Sequence, residues 1–138
     1  MERRIILPND VQDVPRLADF IEEFCESVGV DMVTTMQINL ALEEAVVNVM
    51  SYAYPQGTYG EVTVDAQSLD GYLQFVISDK GTPFDPTQKA EVDTTLSAEE
   101  RNIGGLGIHL VRQIMDRISY ERTDGSNILT LQKDFKLT

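Results

Sequence analysis

The sequence predicts an α+β fold: a two-layer sandwich with helices on one face of a mixed, mostly antiparallel sheet. The candidate elements run in the order strand, two helices, hairpin, loop, helix, hairpin. Both hairpins contain an Asp-Gly turn, which favours antiparallel pairing of the strands it joins. The helices carry apolar residues at helical spacing, so each has a face that it can bury against a sheet.

Length and composition indicate one domain that spans residues 1–138. A chain of 138 residues with 42% hydrophobic residues is long enough and apolar enough to bury one core. No repeat, low-complexity tract or interdomain linker divides it.

The first half of the chain is predicted to contain one strand and two helices. Residues 3–7 form a strand candidate that Pro8 stops. The first helix spans residues 13–28 and ends at Gly29, and Asp31 can cap a second helix that runs to about residue 53. The residues at helical spacing that should face the core are Leu17, Ile21, Phe24, Cys25 and Val28.

The second half is predicted to contain two hairpins and a third helix. The strands of the first hairpin span 60–68 and 72–78, and those of the second span 117–122 and 126–135. The helix covers 107–116. Residues 80–103 lack clear periodicity, and a loop of that length in a compact domain is usually functional.

Charge and composition restrict the partners. The net charge is −12, and no basic cluster interrupts it, so nucleic acid and anionic membrane surfaces are disfavoured. No apolar run approaches about 18 residues and no signal-peptide core is present, which predicts a cytoplasmic protein. Cys25 is the one cysteine, so no internal disulfide can form.

The first break in the pattern lies within the second helix, in ALEEAVVNVM, residues 41–50. Glu44 and Asn48 are four residues apart, so they lie one turn from each other on one face. A carboxylate and an amide on a mostly apolar helix indicate either a solvated edge or a binding site. Glu43 is expected to face solvent.

The second break is FVISDKGTPFDP, residues 75–86. Leu73, Phe75 and Ile77 share the core face of their strand, and the same period turns Asp79 inward. An inward carboxylate needs a hydrogen-bond partner. Gly81 and Pro83 follow Asp79, so the backbone turns sharply there and can approach a ligand closely. An Asp that only caps a turn is the alternative.

The third break is RNIGGLGIHLVRQIMD, residues 101–116. Gly104, Gly105 and Gly107 precede a helix, where backbone N–H groups and the helix dipole favour an anion. A flexible hinge is the alternative for this segment alone. A nucleoside triphosphate with magnesium would use all three features together. The pattern G-x-x-x-x-G-K-[ST] is absent, which argues against a P-loop NTPase.

Three motifs in order carry a specific resemblance. EEAVVN resembles the N box, DKGTPFDP the G1 box and GGLGIHLVRQIMD the G2 box of the histidine-kinase-like ATPase (GHKL) superfamily with the Bergerat nucleotide-binding fold. The match extends from the second helix to the last strand. Within the superfamily, the chain most resembles the anti-sigma-factor serine/threonine kinases of bacterial partner-switching systems.

The resemblance implies ATP and Mg²⁺ as cofactors and assigns roles to individual residues. Asn48 would hold Mg²⁺, and Glu44 would be the general base. Asp79 would accept from the adenine amine, and Gly81 would let the base approach. Residues 85–103 would form a lid over ATP. The other residues implied in nucleotide binding are Pro83, Phe84, Arg101 near the γ-phosphate, Gly104, Gly105, Leu106 and Gly107 around the phosphates, and a last-strand hydroxyl, Thr130 or Ser126.

The implied function is a kinase that phosphorylates an anti-sigma-factor antagonist and acts as an anti-sigma factor by holding a sigma factor, and a homodimer is expected. Two alternatives stand beside it. One is an ATP-gated binding module with little kinase activity. The other is a detached catalytic domain of a sensor histidine kinase, which is disfavoured because the only histidine, His109, lies inside the third helix.

Overall fold

The computed structural model describes residues 1–55, 57–88 and 105–136. Every predicted helix and strand is present, and the bounds differ from the predicted ones by a few residues at most. Two short 3-10 turns, Val11–Asp13 and Pro86–Gln88, are additional. In chain order the elements are β1 (Glu2–Pro8), α1 (Val14–Val28), α2 (Met32–Tyr52), β2 (Glu61–Leu69), β3 (Tyr72–Asp79), α3 (Gly105–Ile114), β4 (Arg117–Thr123) and β5 (Ser126–Asp134).

The five strands form one sheet in the order β1-β2-β3-β5-β4. All four pairings between these described strands are antiparallel, so the sheet is antiparallel rather than mixed. The α+β sandwich is therefore confirmed. The central strand β3 ends at Asp79, which pairs with Val62 on one side and Asn127 on the other.

The core lies between the sheet and the helices. Alternate residues of β3 are buried, and Phe75 meets Phe24 of α1 edge to face, with ring centroids 5.8 Å apart. Burial of such a side chain typically stabilises a fold by about 1.5–3 kcal/mol. Helix α3 contributes Ile108 and Val111 to the same core and packs beside α2.

The link between α1 and α2 fixes where α2 begins. Gly29 adopts a left-handed conformation with φ 92°, and its N–H bonds to the last turn of α1. The Asp31 side chain accepts a hydrogen bond from the Thr34 N–H at 3.0 Å and caps α2. Both predicted helix signals are confirmed. They set the helical phase that determines which face of α2 carries Glu44 and Asn48.

Across the described residues, no helix combines the length and the apolar character needed to cross a membrane.

Candidate functional site

One edge of α2 carries three polar or aromatic side chains four residues apart: Glu44, Asn48 and Tyr52. Glu43 is exposed, as expected, whereas Glu44 is half-buried and Asn48 is only 8% exposed. No hydrogen bond joins the Asn48 amide to another described residue. Its carbonyl oxygen therefore keeps its capacity to bind a ligand.

The C-terminal end of α2 is fastened to the loop that follows β3. The Thr82 N–H and hydroxyl both donate to the Ala53 carbonyl oxygen, at 2.6 and 3.0 Å. The rings of Tyr52 and Phe84 are in contact, with centroids 5.5 Å apart. The edge that carries Glu44 and Asn48 thus leads directly to the loop that begins at Asp79.

Gly81 occupies the tightest point of this junction. A Cβ atom at residue 81 would lie 2.3 Å from the Ala53 carbonyl oxygen, which is backbone and cannot move aside alone. Glycine is therefore required for packing against the end of α2. This packing role was not foreseen from the sequence, and the expected approach of a base to Gly81 stays a prediction.

Asp79 is buried at the end of β3, as its position in the strand period predicts. It is 4% exposed. Its Oδ1 accepts from the Gly81 N–H at 2.8 Å and from the Asn127 side-chain amide at 2.9 Å. Its Oδ2 is buried and has no hydrogen-bond partner among the described residues. This oxygen can accept from a donor that a ligand supplies.

Burial raises the pKa of the Asp79 carboxyl. The donors Asn127 and Gly81, and the positive charge of Arg122, oppose this shift by stabilising the carboxylate. The Arg122 guanidinium is itself held nearby, since its Nη1 donates to the Gly81 carbonyl oxygen at 2.8 Å.

Asn127 is the site residue that sequence reasoning missed. It is 3% exposed at the start of β5, and its amide contacts Asp79 and the loop after it. Asn127 alternates with the buried Leu129 and Leu131, which is the signal that could have identified it as inward-facing.

Thr130 is not part of this site. It pairs with Val76 on β3, and the strand period places both side chains on the face of the sheet opposite Asp79. The predicted contact of Thr130 with adenine is therefore wrong. Ser126 also alternates away from Asn127, and it lines a small cleft of about 360 Å³ with Lys80 and Ser78.

Helix α3 begins at Gly105, so Gly105, Leu106 and Gly107 form its first turn. The backbone N–H groups in the first turn of a helix are a common binding site for anions. Arg112 of α3 donates to the Thr87 carbonyl oxygen at 2.7 Å and joins the helix to the segment after Pro86. Arg101, Gly104 and all but the first four residues of the predicted lid lie outside the described residues.

The side chains of this site suit a metal ion that is bound mainly by the phosphates of a nucleotide better than a metal ion that is bound by protein ligands alone. Among the residues that the structure describes, no three His, Cys, Asp or Glu side chains group to hold a metal ion. An amide oxygen such as that of Asn48 suits a hard cation whose other ligands are phosphate oxygens and water. The orphaned Asp79 oxygen suits an amine of the base.

The model of the histidine kinase-like ATPase domain family matches residues 7–133. The chain belongs to this family. The resemblance drawn from the three motifs is thereby confirmed, and relatives named as serine or serine/threonine kinases agree with it.

Two such relatives are each similar over about two thirds of the chain. The serine/threonine-protein kinase BtrW of Bordetella bronchiseptica is 32% identical over 94 residues, which are 68% of this chain and 66% of BtrW. The serine-protein kinase RsbW of Listeria monocytogenes is 32% identical over 96 residues, 67% of this chain and 61% of RsbW. The chain thus matches slightly less than two thirds of each relative's length.

A solved structure supports the fold. The crystal structure of the RsbU and RsbW domains of a Mycobacterium tuberculosis protein matches with a TM-score of 0.69 at 16% identity. The match covers 97% of this chain and 32% of that one. At this identity it bears on the fold alone.

Proposed function

We propose that the chain is an ATP-dependent serine/threonine protein kinase that phosphorylates an anti-sigma-factor antagonist. The observation that carries the proposal is the buried Oδ2 of Asp79, which has no hydrogen-bond partner among the described residues, in a chain whose relatives are named protein kinases. A buried acceptor without a donor costs stability, so its presence is best explained by a ligand that satisfies it.

The exocyclic amine of adenine is the donor that this oxygen fits. Guanine has a carbonyl oxygen at the corresponding position, which would face the Asp79 carboxylate with no proton between them. A site built to hydrogen-bond a substrate group rejects the analogue that lacks it, because the buried polar atom is then left unpaired. The proposed site therefore selects ATP over GTP.

The edge of α2 would act on the phosphates. Asn48 would hold Mg²⁺ through its amide oxygen, and the ion would neutralise phosphate charge. Glu44, half-buried one turn away, would accept the proton of the serine or threonine hydroxyl. Phosphoryl transfer depends mainly on such positioning and charge neutralisation.

The first turn of α3 would hold the phosphates. The backbone N–H groups of Gly104, Gly105, Leu106 and Gly107 are proposed to donate to phosphate oxygens, with Arg101 near the γ-phosphate. No acidic residue lies in the first turn of α3, which suits the binding of an anion there. Pro83 is exposed beside Phe84, in the loop proposed to border the base.

The partner assignments belong to the same proposal. The chain would hold a sigma factor when the antagonist is phosphorylated, and it would act in the cytoplasm, where ATP is the phosphoryl donor. A homodimer is proposed because the face of the sheet away from the helices carries partly exposed residues such as Gln74, Val76 and Thr130.

Two measurements test the proposal. Calorimetry with Mg²⁺ should show ATP binding much more tightly than GTP, and equal affinities would remove the base assignment. Labelled ATP, incubated with purified candidate antagonists, should then yield phosphoserine or phosphothreonine. ATP binding without transfer to any of them would instead support an ATP-gated binding module.

A further inference from the structure

Asn127 is a buried amide directly opposite Asp79 in the β3–β5 pairing. Its side chain uses every hydrogen-bonding position that an asparagine has. The Nδ2 group donates to Asp79 Oδ1 at 2.9 Å and to the Thr82 carbonyl oxygen at 2.8 Å. The Oδ1 atom accepts from the Phe84 N–H at 3.1 Å and from the Tyr120 hydroxyl.

This set of partners fixes the orientation of the amide. Turning the group over would place its oxygen against a carboxylate and a carbonyl, and its NH₂ against the Phe84 N–H. Because both hydrogens and both lone pairs are already used, Asn127 has no capacity left for a nucleotide. Any influence on ligand binding must therefore pass through the groups that it holds.

The most consequential of these groups is Asp79. Asn127 and the Gly81 N–H together occupy Oδ1, so the carboxylate is held with Oδ2 as its remaining acceptor. Without the Asn127 amide, the carboxylate could rotate about its last torsion and exchange the two oxygens, since that torsion is broad and two-fold.

Asn127 also joins this carboxylate to the rest of the site. Through Thr82 and Phe84 it holds the loop after β3, and Phe84 contacts Tyr52 on the α2 edge. Through the Tyr120 hydroxyl it is attached to β4. Asn127 thus connects Asp79 to the loop after β3, to β4 and, through Phe84, to the edge of α2.

We propose that Asn127 is a positioning residue that determines base specificity by holding Asp79 with a single free oxygen. The inference rests on the proposed binding of ATP at Asp79. It predicts that the preference for adenine over guanine depends on the Nδ2 half of the amide and not on the Oδ1 half.

Two variants test the roles of the Nδ2 and Oδ1 groups of Asn127 separately. Asn127→Asp keeps the size of the side chain and an acceptor for Phe84 and Tyr120, but it replaces the donating NH₂ by an oxygen. Two adjacent carboxyls can share a proton and so restore the hydrogen bond to Asp79, and the affinities are therefore compared at neutral and at alkaline pH. Tyr120→Phe removes the hydroxyl that bonds to Oδ1 and leaves the donation to Asp79 intact. Thermal unfolding and circular dichroism establish that each variant is folded, and calorimetry measures the affinities for Mg·ATP and Mg·GTP.

Asn127→Asp should weaken ATP binding by about tenfold or more and leave GTP binding nearly unchanged, so the ATP/GTP affinity ratio collapses. Tyr120→Phe should leave that ratio within about twofold of wild type, whatever it does to the unfolding temperature. If Asn127→Asp does not fold, Asn127→Ala removes the donor without adding a charge. Because it also removes Oδ1, its affinity ratio is compared with that of Tyr120→Phe, which tests the Oδ1 half alone.

An unchanged ratio in a folded Asn127 variant, or an equal loss in Tyr120→Phe, would overturn the inference while ATP selectivity of the wild type stands. A wild type that does not prefer ATP to GTP would instead remove the proposed base recognition, and the role of Asn127 with it.

Discussion

The proposed nucleotide site has a base end around Asp79 and a phosphate end along the edge of α2. The two ends differ in how many of their polar side-chain atoms form hydrogen bonds within the protein. At the base end, the side chains of Asp79 and Asn127 take part in five hydrogen bonds with described residues, and none of these reaches Asp79 Oδ2. Along the α2 edge, no hydrogen bond to another described residue holds the side chain of Glu44 or Asn48. Selection of a base needs fixed geometry, whereas metal binding and proton transfer need atoms that are still able to bond.

The structural origin of the difference is the kind of element at each end. Asp79 lies where β3, β5 and the end of α2 converge, so backbone groups of several segments reach it. Glu44 and Asn48 lie on a helix, whose backbone groups are already paired along the helix. Their side chains can be held only by tertiary neighbours or by a ligand.

The largest effect should come from Glu44→Gln. The change keeps size and helix propensity but removes the proposed base, so phosphate transfer should fall by about 10²–10⁴-fold while ATP affinity changes little. Single-turnover transfer to a purified antagonist at saturating ATP measures it. Glu43→Gln, at the exposed neighbouring position, is the matched control and should transfer at the wild-type rate. Equal rates in all three proteins would remove Glu44 from the mechanism.

At the base end, Asp79→Asn should reduce ATP affinity by about 5- to 150-fold, the equivalent of about 1–3 kcal/mol for one buried hydrogen bond. The new NH₂ group would face the adenine amine. Calorimetry with ATP checks this, and an affinity equal to that of wild type would contradict base recognition by Asp79.

The same variant should not lose stability. Because burial raises the folded-state pKa of Asp79, the free energy of unfolding falls as pH rises from the unfolded pKa through the folded one. Asp79→Asn removes that ionisation, so at neutral pH it should be at least as stable as wild type, with the difference shrinking in acid. Urea unfolding at several pH values measures it. Marked destabilisation at neutral pH would mean that the carboxylate serves the fold.

Asn48→Ala should lower ATP affinity in Mg²⁺ by about tenfold, since even indirect supports of a metal ligand cost 10–100-fold when removed. The fold should survive, because the amide has no hydrogen-bond partner among the described residues. Calorimetry with and without Mg²⁺ isolates the metal-dependent part. If the loss were the same in EDTA, Asn48 would not hold the metal.

The last prediction concerns stability and tests the junction between the two ends. In Gly81→Ala the new Cβ would overlap the Ala53 carbonyl, and relief of such overpacking typically costs about 1–3 kcal/mol of stability. Urea unfolding measures the loss. Gly71→Ala, in the distant β2–β3 turn, meets no atom within 4 Å and strains only a backbone of φ 86°, so it should leave nucleotide affinity unchanged.

Much of the fold and part of the site followed from local patterns. The period of β3 predicted that Asp79 faces inward, and the cap at Asp31 fixed the phase of α2, because both signals depend only on neighbouring residues. Asp79 pairs with Asn127 because β5, and not β4, is the strand next to β3. Neither hairpin turn determines that choice. Thr130 and Asn127 both lie on β5, and the alternation with Leu129 and Leu131 places Asn127, not Thr130, on the face of Asp79. The packing of Gly81 against Ala53 was missed because it joins elements 28 residues apart.

Because Ala53 is hydrogen-bonded to Thr82, α2 holds Glu44 and Asn48 at constant distances from the loop after β3. At a rise of about 1.5 Å per residue, Asn48 lies about 7.5 Å and Glu44 about 13.5 Å along the helix axis from Ala53, which is bonded to the loop after β3. A single-residue insertion between Asn48 and Ala53 would lengthen this spacing by about 1.5 Å and rotate both side chains by about 100° around the helix. If the edge of α2 binds the phosphates as proposed, the number of residues between Glu44 and Ala53 is fixed by the distance between the base and the phosphates of the nucleotide.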